Sequence, residues 1–238
     1  MKSTLPKAIL FDLDDTILAF SDSADPCWQR ICSKYVSRIH ELTADHLFAA
    51  IQESRSWYWD DPERHRIGRL DLDQARREIV AGAFLRLHID HSALANEIAD
   101  AYTSEREETV EPFPGAIDTL HYLKDQGICL ALITNGNAEG QRRKVDKFGL
   151  VSIFDYILIE GEFGVGKPDE RVYLHVLKQL DVDPEDAWMI GDNLEWDVEA
   201  PQRVGIFGIW MDFAGSGLPE SPSVRPDRII RNLSELIG

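Results

Sequence analysis

Residues 7–16 read KAILFDLDDT, an apolar run that ends abruptly in acid. A short apolar run of this kind is typical of a buried strand whose last residues reach a polar edge. Similar runs predict four later strands, at Ile128–Thr134, Tyr156–Glu160, Ala187–Gly191 and Val204–Trp210. Stretches with helical spacing lie between several of these runs. Because repeated βα units form parallel sheets, we predict an α/β fold with a doubly wound, Rossmann-like core.

The region from residue 21 to residue 111 differs from the rest of the chain. Apolar residues between Trp28 and Ile39 recur at the spacing of one helix face. Three more helices are predicted around residues 47–51, 79–87 and 94–102 on the same grounds. We therefore predict a helical bundle, 21–111, inserted into an α/β core that is formed by 1–20 and 112–238.

Composition excludes several classes of function. The chain has 238 residues and a formal net charge of −17, which disfavours binding to nucleic acid backbones. No apolar run approaches the ~20 residues that a membrane helix needs, so a cytoplasmic location is expected. The three cysteines include no CxxC pair, and neither a disulfide framework nor a zinc site is indicated.

Polar residues follow the predicted strands at the ends where parallel sheets bind ligands. Asp12 ends the first strand, Thr134 the second and Asp192 follows the fourth. Lys167 lies in a glycine-rich loop, residues 161–168, that could bring an ammonium group to the same edge. These residues are expected to converge although they are far apart in the sequence.

The charges of this constellation require a cation. Four aspartates, Asp12, Asp14, Asp192 and Asp197, are expected to cluster. Two like charges about 4 Å apart repel by about 4 kcal/mol at an effective dielectric constant of ~20. Hard oxygen ligands without histidine or cysteine favour Mg²⁺. We therefore predict Mg²⁺ as the cofactor, with Lys167 as a second local cation.

Four motifs resemble those of the haloacid dehalogenase-like (HAD) superfamily. Asp12-Leu13-Asp14-Asp15-Thr16 is similar to its DxDxT motif, and Thr134-Asn135-Gly136 to its second motif. Gly166-Lys167-Pro168-Asp169 resembles the third motif, and residues 191–197, GDNLEWD, the GDxxxxD motif. All four occur in the order of the family. The resemblance implies a phosphatase that acts on a small phosphorylated metabolite, with a helical cap inserted after the first motif.

The resemblance also implies catalytic roles. Asp12 would be the nucleophile that attacks phosphorus, and Asp14 the general acid and base. Thr16 would orient Asp14, and Lys167 would offset the charge of Asp12 and of the phosphoryl group. These roles agree with chemistry in which a carboxylate nucleophile divides hydrolysis into two easier steps.

The remaining roles concern binding. Thr134, Asn135 and Lys167 would hold phosphoryl oxygens, Asn135 through its backbone amide. The metal ligands would be Asp12, Asp14, Asp192 and Asp197, with Asp14 acting through its carbonyl group. Asp197 would bind directly or through a water molecule.

Other interpretations remain open at this stage. A 2-haloacid dehalogenase shares the fold, although such enzymes usually lack the second aspartate, which is Asp14 here. A catalytically silent phosphate-binding member is a further alternative. Asp12, Thr134, Lys167 and Asp197 could each be ordinary strand-end, loop or helix-surface residues. Asp15 and Glu195 are expected to be solvated.

One segment of the predicted cap is unusually basic and aromatic for so acidic a chain. Between Arg55 and Arg69 it contains Trp57, Trp59, Arg64 and Arg66, which we predict to contribute to substrate specificity. The alternative is that the tryptophans belong to the cap core and the arginines pair with nearby acids.

Overall fold

A computed structural model describes residues 5–218 and 220–237. The chain divides into two compact units. One, the α/β unit, comprises residues 1–19 and 111–238, and the other, the helical unit, comprises 20–110. Each boundary lies one residue from the predicted one.

The α/β unit is built on a six-stranded parallel sheet. The strands of the chain are β1 (Ala8–Phe11), β2 (Leu18–Ala19), β3 (Glu111–Pro112), β4 (Cys129–Thr134), β5 (Tyr156–Ile159), β6 (Ala187–Gly191), β7 (Phe207–Met211) and β8 (Arg228–Ile230). The sheet order is β5-β4-β1-β6-β7-β8, while β2 and β3 form a separate antiparallel pair. The predicted α/β fold with a parallel core sheet is therefore confirmed.

The helical unit contains five helices around one apolar core. They are α1 (Ala24–Tyr35), α2 (Ala44–Trp59), α3 (Pro62–Gly68), α4 (Leu72–Arg86) and α5 (Ser92–Thr109). The core collects apolar side chains from α1, α2, α4 and α5, among them Trp28, Ile51 and Ile98. Side-chain oxygens of Thr43, Asp61 and Asp71 accept hydrogen bonds from backbone N–H groups at the starts of α2, α3 and α4, which satisfies donors that a helix leaves unpaired.

Among its described residues, the α/β unit has five further α-helices. They are α6 (Ala116–Asp125), α7 (Ala138–Lys147), α8 (Glu160–Phe163), α9 (Glu170–Leu180) and α10 (Ala200–Arg203). The helix α9 buries Val172, Tyr173 and Val176 in a core that it shares with β1, β4 and β6. Strand β1 lies at the centre and is fully buried, which explains why its residues form an unbroken apolar run.

The structure adds elements that the sequence patterns did not predict. The helix α3 begins at Pro62 and has only seven residues, so it offers too short a pattern to show periodicity. The strands β2, β3 and β8 have two or three residues each, and their positions depend on their partners. Among the described residues, no helix combines the length and apolar character needed to cross a membrane.

Candidate active site

The sheet register brings the predicted active-site residues together. Phe11, the last residue of β1, lies beside Leu132 of β4 and Ile190 of β6. The next residue, Asp12, donates its backbone N–H to the carbonyl of Ile190 at 2.9 Å. Parallel strands that end at the same level place their following residues at one edge of the sheet, where α/β proteins bind ligands. Asp12, Thr134 and Asp192 therefore lie at a common edge.

Lys167 lies between two aspartates at this edge. Its Nζ is 2.6 Å from Oδ1 of Asp12 and 2.6 Å from Oδ1 of Asp197, and all three residues are buried. Burial lowers the pKa of the Lys167 ammonium, but the two carboxylates raise it more, so the pKa lies above its ordinary value. Lys167 therefore carries a positive charge. It is buried, so the alternative in which it is an ordinary loop residue is wrong.

Three carboxylates form a group that fits a divalent cation. Oxygens of Asp12, Asp192 and Asp197 all lie within 4.8 Å of one another. Burial and the charge of Asp197 raise the pKa of Asp12 to about 7, although the charge of Lys167 acts in the opposite direction. Burial, together with the charges of Asp12 and Asp197, raises the pKa of Asp192 to about 8. The single positive charge of Lys167 does not balance the three carboxylates. Their oxygens are hard ligands, which suit Mg²⁺.

Local backbone geometry holds Asp197 and Asp192 in place. Asp197 belongs to a π-helical turn, Leu194–Glu199, and its Oδ2 accepts the N–H of Asn193 at 3.1 Å. A side chain at Gly191 would collide with Asp197, because a Cβ there would lie 2.2 Å from the carboxyl group. The indole N–H of Trp210 donates to the Asp192 carbonyl at 2.7 Å. Such single-turn π-helices are frequent at functional sites.

The loops that carry Asn135 and Lys167 are tied to each other. The Asn135 side chain donates to the Lys167 carbonyl and accepts the Lys167 N–H, both at 2.8 Å. Glu160 is buried and accepts the N–H of Gly136 at 3.0 Å. The side chain of Asn135 therefore positions Lys167, a role distinct from the one expected of its backbone amide.

Asp14 is held by two residues that sequence reasoning missed. Lys144 Nζ lies 2.7 Å from both carboxylate oxygens of Asp14, and the Gln141 amide donates to Oδ2 at 3.1 Å. The same amide donates to the Thr134 hydroxyl at 2.5 Å. The three carboxylates that lie within 4.8 Å of one another do not include Asp14, contrary to the expected tight cluster of four, although the charge of Asp14 adds to those that raise the pKa of Asp12. The available signal was the i, i+3 spacing of Gln141 and Lys144 on the helix that follows Thr134.

Three smaller expectations have mixed outcomes. The Thr16 hydroxyl lies 3.4 Å from Oδ2 of Asp12, so it contacts the expected nucleophile and not Asp14. The expectation that Asp15 is solvated is wrong, because Asp15 is buried in a turn where its φ is +61°. Its charge adds to those that raise the pKa of Asp192. Glu195 is exposed, as predicted.

The residues predicted to confer specificity have partners inside the helical unit. The Arg64 guanidinium lies 3.8 Å from the centre of the Trp57 ring and donates to the Trp57 carbonyl. Arg66 pairs with Glu63 at 2.7 Å on an exposed face. Trp59 packs against the core of the helical unit and lines a cavity there. These contacts agree with the alternative for the arginines and for Trp59. The same alternative is wrong for Trp57, which is 50% exposed and is not a core residue.

Comparison with known proteins identifies relatives along most of the chain. A family model described as haloacid dehalogenase-like hydrolase matches residues 6–205. A phosphoserine phosphatase of Thermus thermophilus is 36% identical over 75% of this chain and 65% of its own, so slightly less than two thirds of that relative is covered. A glyceraldehyde 3-phosphate phosphatase of Methanopyrus kandleri is 28% identical over 84% of this chain and 81% of its own.

Solved structures share the fold. The HAD hydrolase YfnB of Bacillus subtilis, bound to magnesium, superposes with a TM-score of 0.74 at 24% identity, covering 98% of this chain and 97% of the other. A 2-haloacid dehalogenase of Pseudomonas syringae has a TM-score of 0.63 at 26% identity, with the same coverage of 98% and 97%. A fold shared with a 2-haloacid dehalogenase does not by itself fix the chemistry of this chain, so the site residues must decide.

Proposed function

The chain belongs to the haloacid dehalogenase-like hydrolases, and on this premise we propose that it hydrolyses a small phosphate monoester with the help of Mg²⁺. The observation that carries the proposal is the buried ammonium of Lys167 between Asp12 and Asp197, beside the carboxylate of Asp192. This arrangement combines a nucleophile, a fixed cation and uncompensated carboxylates. A phosphoryl group needs positioning and neutralisation of its oxygens, and the site supplies both.

The first step forms an aspartyl phosphate on Asp12. Oδ1 of Asp12 is bound by Lys167, and Oδ2, which the Thr16 hydroxyl contacts at 3.4 Å, attacks phosphorus. The P–O bond to the leaving group breaks as the O–P bond to Asp12 forms, and Asp14 gives its proton to the leaving oxygen. The Thr134 hydroxyl and the Asn135 amide hold phosphoryl oxygens, and Lys167 balances their charge. Asp12, Asp192, Asp197 and the Asp14 carbonyl would hold Mg²⁺, which would supply further neutralisation.

The second step releases phosphate. Asp14 takes a proton from a water molecule, whose oxygen attacks phosphorus while the bond to Asp12 breaks. In the structure Lys144 Nζ lies 2.7 Å from both carboxylate oxygens of Asp14. Lys144 therefore fixes the position of the carboxylate that moves the proton in both steps.

The helical unit is proposed to act as a cap that discriminates between substrates, which we expect to be small phosphorylated metabolites. The core residues bind only the phosphoryl group, which every substrate shares. The segment with Trp57, Trp59, Arg64 and Arg66 remains a predicted specificity surface. The cytoplasmic location also remains a prediction.

Dehalogenation is the second candidate, because a 26% identical neighbour is a 2-haloacid dehalogenase. The pairing of Asp14 with Lys144 and Gln141 favours the phosphatase, since a held second carboxylate has a use in proton transfer to a leaving oxygen.

A screen of phosphate monoesters with and without Mg²⁺ tests the proposal, with Asp12→Asn as the matched inactive variant. We expect turnover that EDTA removes and Mg²⁺ restores. Asp12→Asn should lower kcat by at least about a thousandfold without lowering the melting temperature, because the change is nearly isosteric and removes one of several repelling charges. Metal-independent release of chloride from 2-chloropropionate, without phosphatase activity, would decide for the dehalogenase.

A further inference from the structure

The helical unit contains a partly open cavity of about 310 Å³ that the core chemistry does not use. All of its lining residues belong to residues 20–110, so the cavity is a property of this unit alone. The volume lies at the lower end of the range typical of small-molecule sites. Its walls combine arginines with aromatic rings, which is an unusual lining for a packing defect.

The cavity is positively charged inside a strongly acidic protein. Three arginines line it, Arg55, Arg76 and Arg106, but only one acid, Asp25. Asp25 is already paired with Arg55 at 2.5 Å. The charges of Arg76 and Arg106 therefore face the cavity without a balancing carboxylate in its lining.

Arg106 is the most buried of these cations. It is 2% exposed, and within the described part of the chain no carboxylate lies within ion-pairing distance of it. Its terminal nitrogens donate to the Ser23 hydroxyl and the Phe20 carbonyl, while its Nε has no hydrogen-bond partner among the described residues. A buried guanidinium without a counter-ion is unfavourable, and an anion placed beside it removes that penalty.

Arg76 is also short of opposite charge. Its nearest acid is Asp73 at 3.7 Å, whose side chain is 57% exposed and therefore screened by water. Arg76 donates to the Thr103 hydroxyl at 3.0 Å, which is a neutral partner. Burial lowers the pKa of the Arg76 guanidinium, which agrees with a cation that lacks compensation.

Flat apolar surfaces lie beside the two cations. The rings of Trp28 and Tyr102 stack at 3.6 Å between centroids with their planes 9° apart. The Arg76 guanidinium lies 5.4 Å from the Tyr102 ring, and that of Arg106 lies 4.4 Å from the Phe20 ring. A ligand that fits these walls has a planar or apolar body and an oxyanion at its edge. Guanidinium groups match planar oxyanions particularly well.

We propose that this cavity recognises a carboxylate-bearing, planar or apolar part of the substrate, with Arg76 and Arg106 as the cations that select it. The inference rests on the proposed phosphatase function and narrows its substrate class. It assigns specificity to Arg76 and Arg106, which are not among the residues predicted from the basic and aromatic segment.

Substrates with and without a carboxylate test the proposal. The ortho, meta and para isomers of carboxyphenyl phosphate are compared with phenyl phosphate at saturating Mg²⁺, in wild type, Arg76→Met and Arg77→Met. Arg77 is the control, because it is the next residue on α4 but pairs with Asp100 at 2.8 Å and does not line the cavity. For each isomer, the ratio of its kcat/KM to that of phenyl phosphate cancels any general loss of activity.

We expect the best carboxyphenyl isomer to be preferred over phenyl phosphate by at least about tenfold. Arg76→Met should remove that preference and leave phenyl phosphate within about threefold, while Arg77→Met keeps the preference. Arg106→Lys, which retains a positive charge, should retain part of it. Hydrolysis of both substrates with a ratio that Arg76→Met does not change would overturn the inference.

A binding measurement separates this inference from the proposed function. The hydroxybenzoates that correspond to the three substrates are titrated against the wild-type protein while tryptophan fluorescence is followed, with phenol as the neutral control. Binding of a hydroxybenzoate that Arg76→Met weakens at least about tenfold supports the cavity even if no phosphatase activity is found. Equal binding to wild type and Arg76→Met, or no binding of any isomer, counts against the cavity whatever the activity screen gives.

Discussion

In the α/β unit, the buried ammonium of Lys167 lies between two carboxylates, whereas the buried guanidinium of Arg106 in the helical unit has no carboxylate partner among the described residues. The first site contains more acid than base, and the cavity contains more base than acid. A site with excess acid suits a metal cation. Once the cation offsets the carboxylate charge, the site can accept a negatively charged phosphoryl group. A cavity with excess base suits a second anionic group on the substrate. The two proposals therefore assign reaction chemistry to the α/β unit and substrate selection to the helical unit.

Loss of Lys167 should have the largest effect. Lys167→Met leaves Asp12 and Asp197 buried without their shared cation, and breaking such a pair destabilises a protein by about 3 kcal/mol or more. We also expect kcat to fall by at least about a thousandfold, since the phosphoryl charge loses its fixed partner.

Thermal unfolding and steady-state kinetics measure both effects. Lys178→Met is the control, because Lys178 is exposed on α9. If Lys167→Met behaves like Lys178→Met in both measurements, the paired-charge description of the α/β site is wrong.

The acidic group should make metal-free stability depend on pH. The pKa of Asp192 is about 8 in the folded protein, above its ordinary value of 3.8, so the folded state binds this proton more tightly than the unfolded state. Its contribution to stability is therefore present below about pH 4 and is lost as the pH rises through about 8.

Melting temperatures of wild type and Asp192→Asn in EDTA test this direction. The variant should be more stable than wild type near about pH 8.5, and the difference should shrink towards about pH 5. Mg²⁺ should raise the wild-type melting temperature more at the higher pH, because ligand protons must leave before metal binds. If the difference in melting temperature between the two proteins does not depend on pH, the carboxylate of Asp192 is not destabilised by burial and by the charges of Asp12 and Asp197.

The contact between Lys144 and Asp14 should matter for turnover more than for binding. Lys144→Met is expected to lower kcat by about tenfold or more, with a smaller change in KM, since Asp14 would lose the group that fixes its position. Lys144→Arg should restore part of the loss. The effect should be greater for alkyl phosphates than for p-nitrophenyl phosphate, whose leaving group needs no proton.

Arg143→Met is the matched control, because Arg143 is the neighbouring residue and pairs with Glu139 on the exposed side of α7. Equal losses in the two variants, or a change confined to stability, would reduce Lys144 to a structural residue.

The smallest effect is expected on the exposed side of the helical unit. Arg66 pairs with Glu63, and both side chains are more than half exposed, so water screens the pair and its loss should change stability little. If the cavity selects the substrate, Arg66→Ala should change the ratio of kcat/KM for carboxyphenyl and phenyl phosphates by less than about twofold. A tenfold change in that ratio would return specificity to the basic and aromatic segment, as the sequence pattern predicts.

The strands that carry the site were predictable because each is a short apolar run bounded by polar residues. β6 was predicted with its observed bounds, and β4 and β5 to within one residue at their ends. β8 was missed because Arg228–Ile230 has three residues, only one of which is buried. Motif order predicted Asp12 and Lys167 as site residues, and the structure places their side chains 2.6 Å apart.

The sequence by itself determined the α/β core, the helical insertion and the resemblance to a phosphatase family, because periodicity and short motifs record local backbone requirements. Only the tertiary structure decided that Lys144 and Gln141 hold Asp14, that Asp15 is buried and that Arg106 lies beside a cavity. Asp14 and Lys144 are 130 positions apart, and no local pattern links them. Contacts of this kind depend on how strands and helices pack, and the charge balance of each site follows from that packing.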